Sequence, residues 1–461
     1  MLLRLLAVLL ALATAGFAYA PRRAFDVVVV GGTPAGIAAA LAAAQSGLNV
    51  AFVTSDSVLG GVLTHGMLTQ WDLEYDAGGR QLEGGLFAQF YAALPNGFEP
   101  AAAARYFARR IRRERRITWF ANVRDLKTIV SSDGESATLG GVRFRTDGKP
   151  VVAVAPNFID ATETGEIAAA AGARYDVGRQ DQGIDLRMQP VTLMFALGGV
   201  NWKRVVHGYD AARFGNGRAH DNQASGYGRL FRKRYRSLSA QSLVPDANFQ
   251  LERDGTVMVN AVDVLDVDGR DAVALGRARR IAEKESVHLV AFLRREVPGM
   301  EGARIVRFAP EMYVRETRHI RGMFWIDAQY VWDGSLPYDT VALGSYPLDV
   351  HPVTRDANGG DGWASDSHVY GIPLRALIVQ GFSNLAVVGA AISATHDASG
   401  SLRVLPTTIA EGQAVAVACA LSRRTGEDLR AIALHAQLVR RLRQDLAQRG
   451  LLGEFSLSLR R

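Results

Sequence analysis

Three features are scarce in this 461-residue chain, and each scarcity excludes a class of structure or chemistry. Cysteine occurs once, as Cys419, so the chain has no internal disulfide, no Cys-x-x-Cys redox pair and no zinc site built from thiolates. Lysine is rare among the 53 basic residues, so arginine carries the net charge of +7, which over this length gives little reason to expect a nucleic-acid partner. After residue 20, no stretch is long and apolar enough to cross a membrane.

Residues 1–20 have the pattern of an export signal. Arg4 and the amino terminus form a short positive start, residues 5–18 are apolar, and Ala18-Tyr-Ala is a cleavage site of the A-x-A form. We therefore expect a cleaved signal peptide and a periplasmic or secreted protein that is not stably inserted in a membrane. Arg22 follows closely, and an uncleaved amino-terminal membrane anchor is the alternative.

Residues 26–36, Asp-Val-Val-Val-Val-Gly-Gly-Thr-Pro-Ala-Gly, are the most informative stretch of the chain. Consecutive valines suit a strand buried on both faces of a parallel sheet. Gly31 allows a sharp turn out of that strand, Pro34 suits the first helical turn, and Gly36 lets the helix pack close to the sheet. Free N–H groups and the helix dipole then favour an anion at one place. The stretch therefore predicts a dinucleotide site.

Two residues depart from the usual dinucleotide fingerprint. Thr33 stands where the middle glycine of G-x-G-x-x-G is common. Thr54, after a second predicted strand at residues 49–53, stands where an acidic residue usually holds the ribose. Ser55 and Asp56 are the alternatives for that role, and the sequence does not choose between them. A strand–helix turn without any ligand is the other interpretation of the fingerprint.

The later segments indicate a nucleotide-binding fold that is interrupted in sequence. Hydrophobic residues make up 48% of the chain, which is enough for two joined domains. Residues 117–159 alternate like a β-meander, and residues 384–389 repeat the pattern of a buried strand followed by glycine. A helix is expected to begin at Pro406, and a last helix to span residues 428–448. We therefore expect an α/β fold: a Rossmann-like parallel-sheet domain with a β-rich inserted domain.

Six stretches, spread over nearly all of residues 25–425, are together far more specific than any one of them. They are residues 30–40, Leu-Gly-Gly-Val-Leu-Thr-His-Gly-Met at 59–67, Phe-Ile-Asp-Ala-Thr-Glu-Thr-Gly-Glu at 158–166, Val-Arg-Glu-Thr-Arg-His-Ile-Arg-Gly at 314–322, Ser-Tyr-Pro-Leu-Asp-Val-His at 345–351, and residues 392–408. Their combination resembles the FAD-dependent oxidoreductase family, flavoproteins with a glutathione-reductase-like FAD fold. Within the third stretch, Glu163 stands where other flavoproteins have glycine.

The resemblance implies FAD as the cofactor and a discontinuous FAD-binding domain. The expected boundaries are 25–185 and 335–425 for that domain, 186–334 for the inserted substrate domain and 426–461 for a C-terminal helical segment. A second nucleotide fingerprint is missing, which argues against an NAD(P)H reductase. Export argues in the same direction, because nicotinamide cofactors are scarce outside the cytoplasm.

The residues expected to hold FAD lie at predicted turns and strand ends. They are Gly31, Gly32, Thr33, Pro34, Ala35, Gly36, Thr54, Ser55, Gly60, Gly61, Val123, Ala161, Thr162, Gly389, Ser401 and Leu402. The resemblance implies that Gly389, Ser401 and Leu402 border the ribityl chain and the flavin ring. The helix from Pro406 is expected to direct its N-terminus at the flavin, where its dipole stabilises the negative charge of the reduced ring.

Four residues are predicted to act on the substrate: Arg403, His396, His351 and Arg315. A flavin accepts hydride, so the protein has to remove a proton and orient the donor. Histidine is a suitable base near neutral pH, and arginine fixes a carboxylate or stabilises an oxyanion. The alternative is a structural role, in which Arg315 belongs to a buried ion-pair network and His351 pairs with Asp349. No metal ligand set is expected.

The sequence therefore predicts an exported FAD-dependent oxidoreductase that oxidises a small organic or carbohydrate-like substrate by hydride transfer. The substrate and the electron acceptor stay open, as does the choice between dehydrogenase and oxidase. The basic run at residues 229–236 is expected to be an exposed basic face of the inserted domain, and if it has a function, an acidic substrate fits an exported enzyme better than a nucleic acid. The alternative function is a non-catalytic protein that uses the flavin fold to bind a glycan or a protein partner.

Overall fold

The computed structural model describes residues 21–132, 134, 136–355 and 368–452. The expected signal peptide and residues 453–461 of the expected C-terminal segment lie outside the described residues. The strands are β1 (Arg22–Ala24), β2 (Val27–Val30), β3 (Val50–Val53), β4 (Ile117–Phe120), β5 (Arg124–Ser132), β6 (Ala137–Thr146), β7 (Lys149–Val154), β8 (Asn157–Asp160), β9 (Tyr175–Val177), β10 (Val191–Thr192), β11 (Phe195–Gly198), β12 (Arg218–His220), β13 (Gln223–Ser225), β14 (Ser242–Leu243), β15 (Asn248–Leu251), β16 (Val257–Asn260), β17 (Asp263–Val264), β18 (Arg304–Phe308), β19 (Arg318–Ile320), β20 (Thr340–Gly344), β21 (Tyr370–Pro373) and β22 (Leu385–Val387). The helices are α1 (Pro34–Gln45), α2 (Gly85–Ala93), α3 (Pro100–Arg113), α4 (Glu166–Ala170), α5 (Trp202–His207), α6 (Ala211–Phe214), α7 (Gly228–Arg234), α8 (Ala272–Glu296), α9 (Ala328–Trp332), α10 (Leu374–Leu377), α11 (His396–Leu402), α12 (Leu405–Thr425), α13 (Leu429–Leu434) and α14 (Ala436–Gln448).

A five-stranded parallel sheet forms the centre of the first domain, in the order β22-β8-β2-β3-β4. The four valines of β2 are all buried, as expected for a strand covered on both faces. Helices α1 and α12 pack against each other beside this sheet. The α/β fold with a Rossmann-like parallel sheet, expected from the sequence, is thereby confirmed.

The prediction of a meander is wrong for its first segment, because Ile117–Phe120 forms the edge strand β4 of the parallel sheet. It follows helix α3 and lies parallel to β3, with Val50 opposite Ile117. A four-residue strand does not reveal from its own sequence which sheet it joins, whereas the preceding crossover helix favours a parallel partner. The remaining strands β5, β6 and β7 do form an antiparallel meander, which β1 extends.

The inserted part of the chain builds a separate, mainly antiparallel layer. Its larger sheet has the order β12-β13-β15-β16-β11-β18, and β10, β17 and β14 form a smaller sheet. The apolar core of this part draws on residues 191–309, together with Val62, Met67 and Leu68 from the first domain. These three side chains connect the two layers directly behind the turn at residues 60–63.

The predicted C-terminal helix over residues 428–448 is broken at His435 into α13 and α14. His435 has an extended backbone (φ −94°, ψ 108°), which ends one helix and caps the next. As a consequence Leu434 is 50% exposed and does not share the buried face of Leu442 and Leu446. Among the described residues, only α11 and α12 taken together have the length and hydropathy of a membrane span, and they are bent by 88°.

Candidate active site

The turn between β2 and α1 has the close approaches that its glycines predict. Gly31 has a φ of +122°, and a Cβ atom there would lie 2.2 Å from the carbonyl oxygen of Ala161. A Cβ atom at Gly36 would lie 2.1 Å from the carbonyl oxygen of Gly31. Any larger residue at these positions would push α1 away from the carboxyl ends of β2 and β8. The N–H groups at the start of α1 therefore stay close to the sheet edge, as an anion site requires.

Thr33 has a structural role that a glycine at this position could not have, because glycine lacks a side-chain hydroxyl group. Its hydroxyl donates a hydrogen bond to the carbonyl oxygen of Ala161 over 2.9 Å. The hydroxyl oxygen of Thr33 also accepts a hydrogen bond from the Gly36 amide over 3.1 Å and so caps α1. Thr33 thus fixes the helix N-terminus to the end of β8.

A cavity of about 460 Å³ opens at this turn. It is lined by residues from the ends of the parallel strands and the segments that follow them, among them Gly31, Gly32, Thr33, Thr54, Ser55, Gly61, Val123, Arg124, Thr162 and Glu163. The predicted cofactor residues at the fingerprint, after β3 and after β4 are therefore brought together at one edge of the sheet. Arg124, which sequence reasoning missed, donates to the carbonyl oxygen of Ser55 over 2.6 Å.

Thr54 is turned toward the protein at the point where the ribose was expected. Its hydroxyl donates to the carbonyl oxygen of Asp56 over 2.6 Å and accepts a hydrogen bond from the indole of Trp119 over 2.9 Å. Asp56 in turn lies 3.1 Å from Nε2 of His65. Both alternatives for the ribose, Ser55 and Asp56, line the cavity, and the choice between them stays open.

A narrow cleft leads from this cavity toward the start of α12. Its volume is about 40 Å³, and its walls include Pro34, Ala35, Ala161, Thr162 and Gly389 of the predicted cofactor set. Gly389 has a φ of +94°, and its amide donates to the Glu411 carboxyl group over 2.9 Å. Leu405 and Thr408, in the first turn of α12, also line the cleft.

Four predicted cofactor residues do not reach either space. Gly36 packs against Gly31, and Gly60 packs against Phe107. Leu402 is buried in the core, and the Ser401 hydroxyl is bonded to Tyr346 and Tyr370. Their assignment to the cofactor stays a prediction. In this structure they pack behind the residues that line the two spaces.

A third space, a polar cavity of about 440 Å³, lies between the two domains. Its charged lining residues are Asp72, Arg232, Asp246, Asp263, Arg315, Asp349, His351 and Arg403, and its amide and hydroxyl groups include Gln70, Asn216, Ser225, Asn248 and Asn260. Tyr313, Arg315 and Arg403 line both this cavity and the narrow cleft. The polar cavity is therefore separated from the expected flavin position by a wall of three side chains. Two of them, Arg315 and Arg403, were predicted from the sequence to act on the substrate.

Both predicted arginines are held in ion pairs at this junction. Arg403 lies 2.8 Å from the Asp349 carboxylate and donates to the Tyr313 hydroxyl over 2.9 Å. Arg315 lies 3.3 Å from the Asp263 carboxylate and donates to the Thr192 hydroxyl over 2.6 Å. Burial would raise the pKa of both aspartates, but the neighbouring cations outweigh it and hold both pKa values below the usual range. The two carboxylates are therefore ionised.

His351 bridges these two ion pairs. Its Nδ1 is 2.9 Å from the Asp263 carboxylate and its Nε2 is 3.7 Å from that of Asp349. Burial and Arg315 disfavour the imidazolium form, but the two carboxylates outweigh them and raise the pKa of His351. The two carboxylates beside the cavity thus favour the protonated form of His351.

Asp72, which sequence reasoning did not single out, is the unusual acid of the polar cavity. Burial and the charge of Asp349 together raise its pKa to about 6, against the opposing effects of Arg403 and Gln70. Within the described part of the chain, no cation lies within ion-pair distance of its carboxylate. A carboxyl group poised near neutral pH in a cavity is typical of a proton acceptor, but a lone Asp before leucine carries no recognisable motif.

His396 lies outside the cleft and both cavities. It is buried, with Nδ1 2.8 Å from the Glu316 carboxylate, which also contacts His319 at 2.6 Å and accepts from the Gln189 amide over 2.7 Å. His319 and His396 lower the pKa of Glu316 to about 2 against the opposing effect of burial. This cluster fixes the segment that carries Arg315, so the predicted direct role of His396 stays a prediction without a contact to the cavity.

These observations define a dinucleotide-binding α/β protein with a polar cavity beside the cofactor position. Residues 26–446 match the model of the family described as FAD dependent oxidoreductase, and the chain belongs to that family. No curated protein matches the chain.

Solved structures similar in fold include a geranylgeranyl bacteriochlorophyll reductase-like protein from Thermoplasma acidophilum. It is 12% identical, and the alignment covers 95% of this chain and 87% of that one, with a TM-score of 0.46. The p-nitrophenol 4-monooxygenase of Pseudomonas putida is also 12% identical, with coverage of 89% and 83% and a TM-score of 0.45. A myxobacterial chondrochloren halogenase is 16% identical, with coverage of 95% and 82% and a TM-score of 0.42. Likeness at this level carries no argument about the reaction.

The residues present fit FAD. A Cβ atom at Gly31 would clash with the Ala161 carbonyl oxygen, so this close approach of the turn to β8 requires glycine, and the cavity at the turn extends past Val123, where the sequence placed the adenine. Gly389 and the first turn of α12 border the narrow cleft, where the flavin was expected.

Proposed function

We propose that this protein is a dehydrogenase or oxidase that oxidises a small polyhydroxylated compound bound in the polar cavity. The observation that carries the proposal is the shared wall of Tyr313, Arg315 and Arg403, which places the polar cavity next to the cleft expected to hold the flavin. When bound, FAD supplies the acceptor for the hydride of the substrate. The protein supplies the orientation of the donor carbon and the removal of its hydroxyl proton.

The chemistry of the cavity wall favours a substrate rich in hydroxyl groups. Amides, carboxylates and guanidinium groups form its polar lining, and smaller apolar patches come from Leu68, Pro245, Ala261, Val350 and Pro352. Each hydroxyl group of a polyol both donates and accepts a hydrogen bond, and so matches such mixed walls. An apolar substrate would displace water from the unpaired polar atoms of this wall without replacing its hydrogen bonds, at a cost of about 1–3 kcal/mol for each atom left unsatisfied.

Asp72 is the group best suited to accept the hydroxyl proton. Asp263 and Asp349 are engaged with arginines, and His351 is paired with the Asp263 carboxylate and lies 3.7 Å from that of Asp349. Asp72, with a pKa near 6, is ionised at neutral pH and still basic enough to take up a proton. Arg403 lies on the same wall and stabilises the negative charge that develops on the substrate oxygen.

Arg232 gives the cavity a preference for acidic substrates. Of the basic run at residues 229–236, Arg234 is paired with Glu296, and Arg229 is bonded to the Ala212 carbonyl oxygen. Arg232 lines the polar cavity instead, on the wall that the inserted domain contributes. Its nearest opposite charge there is Asp246, which already accepts the Tyr227 and Ala247 amides. A substrate carboxylate at Arg232 would be bound opposite Asp72 and Arg403.

A stopped-flow reduction experiment tests this proposal. Oxidised holoprotein is mixed without oxygen with matched pairs, namely glucuronate with glucose and galacturonate with galactose, while the flavin absorbance is followed. We expect bleaching by at least one of these compounds and faster bleaching by the acid of that pair. A holoprotein that binds the sugars without bleaching would instead support the non-catalytic alternative.

We also propose that the protein is exported, because residues 1–20 carry the three parts of a signal sequence. Expression of the full chain in a bacterial host, fractionation and N-terminal sequencing test this. We expect a periplasmic product that begins at Pro21. A full-length product in the membrane fraction would favour the anchor, and a full-length product in the cytoplasmic fraction would contradict export.

A further inference from the structure

Glu163 lies where the cofactor pyrophosphate is expected. It follows Thr162 after β8, at the position where the resemblance led us to expect glycine, and it lines both the large cavity and the narrow cleft. Glu163 is thus at the passage between the two halves of the cofactor site. The narrowness of the cleft, about 40 Å³, is in part due to this side chain.

The contacts of the Glu163 carboxylate are those of a bound anion. A Cβ atom at Gly61 would lie 2.7 Å from its Oε1 and 3.5 Å from Cα of Thr33, so the carboxylate lies close to the start of α1. Gly60 and Gly61 both have positive φ, +119° and +49°, and the amide of the next residue, Val62, donates to the carboxylate. Successive amides in such a turn form an anion-binding concavity, and the helix N-terminus adds its dipole.

We propose that Glu163 is an internal competitor of FAD: its carboxylate occupies the anion site, and it has to leave that site or take up a proton when the cofactor binds. The inference concerns the cofactor site alone and does not depend on the proposed reaction. It makes Glu163 the residue that sets the affinity for FAD.

The charges that face Glu163 make this competition sensitive to pH. They belong to the walls of the large cavity and of the narrow cleft, and are Asp56, His65, Arg124, Asp125, Glu166, Glu311, Arg315 and Arg403. Glu163 is exposed at the cavity, but the protein atoms around it and the charge of Glu311 together raise its pKa to about 7 against the opposing effect of His65. The pyrophosphate brings more negative charge and raises this pKa again, so binding of FAD takes up a proton. The affinity for FAD therefore falls as the pH rises through 7.

His65 sets an upper limit to the pH range of a test, because its own charge changes at higher pH. Within that range it does not account for the pH dependence assigned to Glu163. The hydrogen bond to Asp56 raises the pKa of His65 to about 9 against burial, so the imidazolium persists up to pH 8. Arg315 and Arg403 keep their charge throughout this range. Between pH 6 and 8, Glu163 is then the cavity residue whose charge changes most.

The experiment measures the dissociation constant of FAD with apoprotein by quenching of flavin fluorescence at pH 6, 7 and 8. Glu163→Gln is compared with wild type and with Glu166→Gln, which removes a carboxylate that lines the same cavity but not the narrow cleft. For wild type we expect the constant to rise about tenfold from pH 6 to 8, as one pKa step allows. Glu163→Gln should bind FAD about tenfold more tightly than wild type at pH 8 and change little with pH.

Equal or weaker binding of FAD by Glu163→Gln at pH 8 would overturn the inference, and so would an equal gain in Glu166→Gln. Thermal unfolding of the apoproteins shows whether each variant is folded. Glu163→Gly removes the carboxylate altogether and is expected to reproduce the gain, which keeps the test decisive if the glutamine variant folds poorly. Because no substrate is used, failure of the proposed reaction leaves the result unaffected.

Discussion

The cofactor site and the polar cavity are built from different parts of the chain. The first is made of backbone and small side chains at the ends of parallel strands, where Gly31, Thr33 and Gly389 fix the path of the chain. The second is made of charged side chains from segments that are distant in the sequence, such as Asp72, Arg315 and Arg403. In the cofactor site the shape of the backbone makes room for the ligand and the charge of Glu163 adjusts its affinity, whereas substrate binding in the polar cavity depends on a balance of charges.

Gly31→Ala should break the cofactor half of this comparison and give the largest effect. A Cβ atom 2.2 Å from the Ala161 carbonyl oxygen, at a φ of +122°, cannot be accommodated without moving β8 or α1. We expect a protein that purifies without FAD, measured as the absorbance ratio at 450 and 280 nm. Gly276→Ala in α8, where a Cβ atom meets nothing within 4 Å, is the matched control and should keep its flavin.

Arg403→Gln should break the charge balance of the polar cavity. It leaves the Asp349 carboxylate, 2.8 Å from Arg403, without its nearest cationic partner. Removing one member of a buried pair costs about 3–5 kcal/mol, seen as a loss in the free energy of unfolding. The double variant Arg403→Gln/Asp349→Asn should regain most of this loss but not the rate of flavin reduction. If the double variant is no more stable than the single one, the ion pair is not what holds the junction together.

Asp72→Asn separates binding from proton transfer. We expect the rate of flavin reduction to fall by about 10²–10⁴-fold with little change in FAD content, because the amide cannot accept a proton. The wild-type rate should rise with pH through about 6, since only the ionised carboxyl group is a base, and the variant should lose this dependence. His351→Gln is the comparison variant, and a larger loss or the disappearance of the pH dependence there would assign the proton to His351.

Arg232→Gln tests the acidic end of the cavity. The preference for a uronate over the corresponding neutral sugar should fall by about tenfold, the value of one charge-assisted hydrogen bond, through weaker binding of the acid alone. Lys233→Gln, the next residue, does not line the cavity and should keep the preference. An equal loss for acid and neutral sugar would indicate a steric effect and contradict a carboxylate at Arg232.

His396→Gln should have the smallest effect on flavin reduction, less than about tenfold, because His396 lies behind the wall. It should instead lower the melting temperature, since Glu316 loses a charged partner in the core. A loss of rate comparable to that of Asp72→Asn would restore the direct role that the sequence predicted for His396.

How much could be predicted from the sequence differs between the cofactor site and the polar cavity. The fingerprint, the FAD fold and the buried strand β22 were predictable because each is a local pattern of valines and glycines with one backbone solution. The short strand β4 was misplaced, because its partner β3 is chosen by the crossover and not by its own residues. Arg315, His351 and Arg403 were recognisable within motifs, but Asp72, Arg232 and Glu163 take their environment from distant segments.

Single-turnover reduction of wild type and Asp72→Asn with the same polyhydroxylated compound tests the central claim most directly. The account predicts that the compound perturbs the flavin spectrum of both proteins, which shows binding, but bleaches the wild type alone. Equal bleaching in both proteins would contradict proton transfer in the polar cavity. If the wild-type holoprotein binds none of the compounds and its flavin is reduced by NADPH alone, the proposal that the polar cavity is the substrate site is wrong.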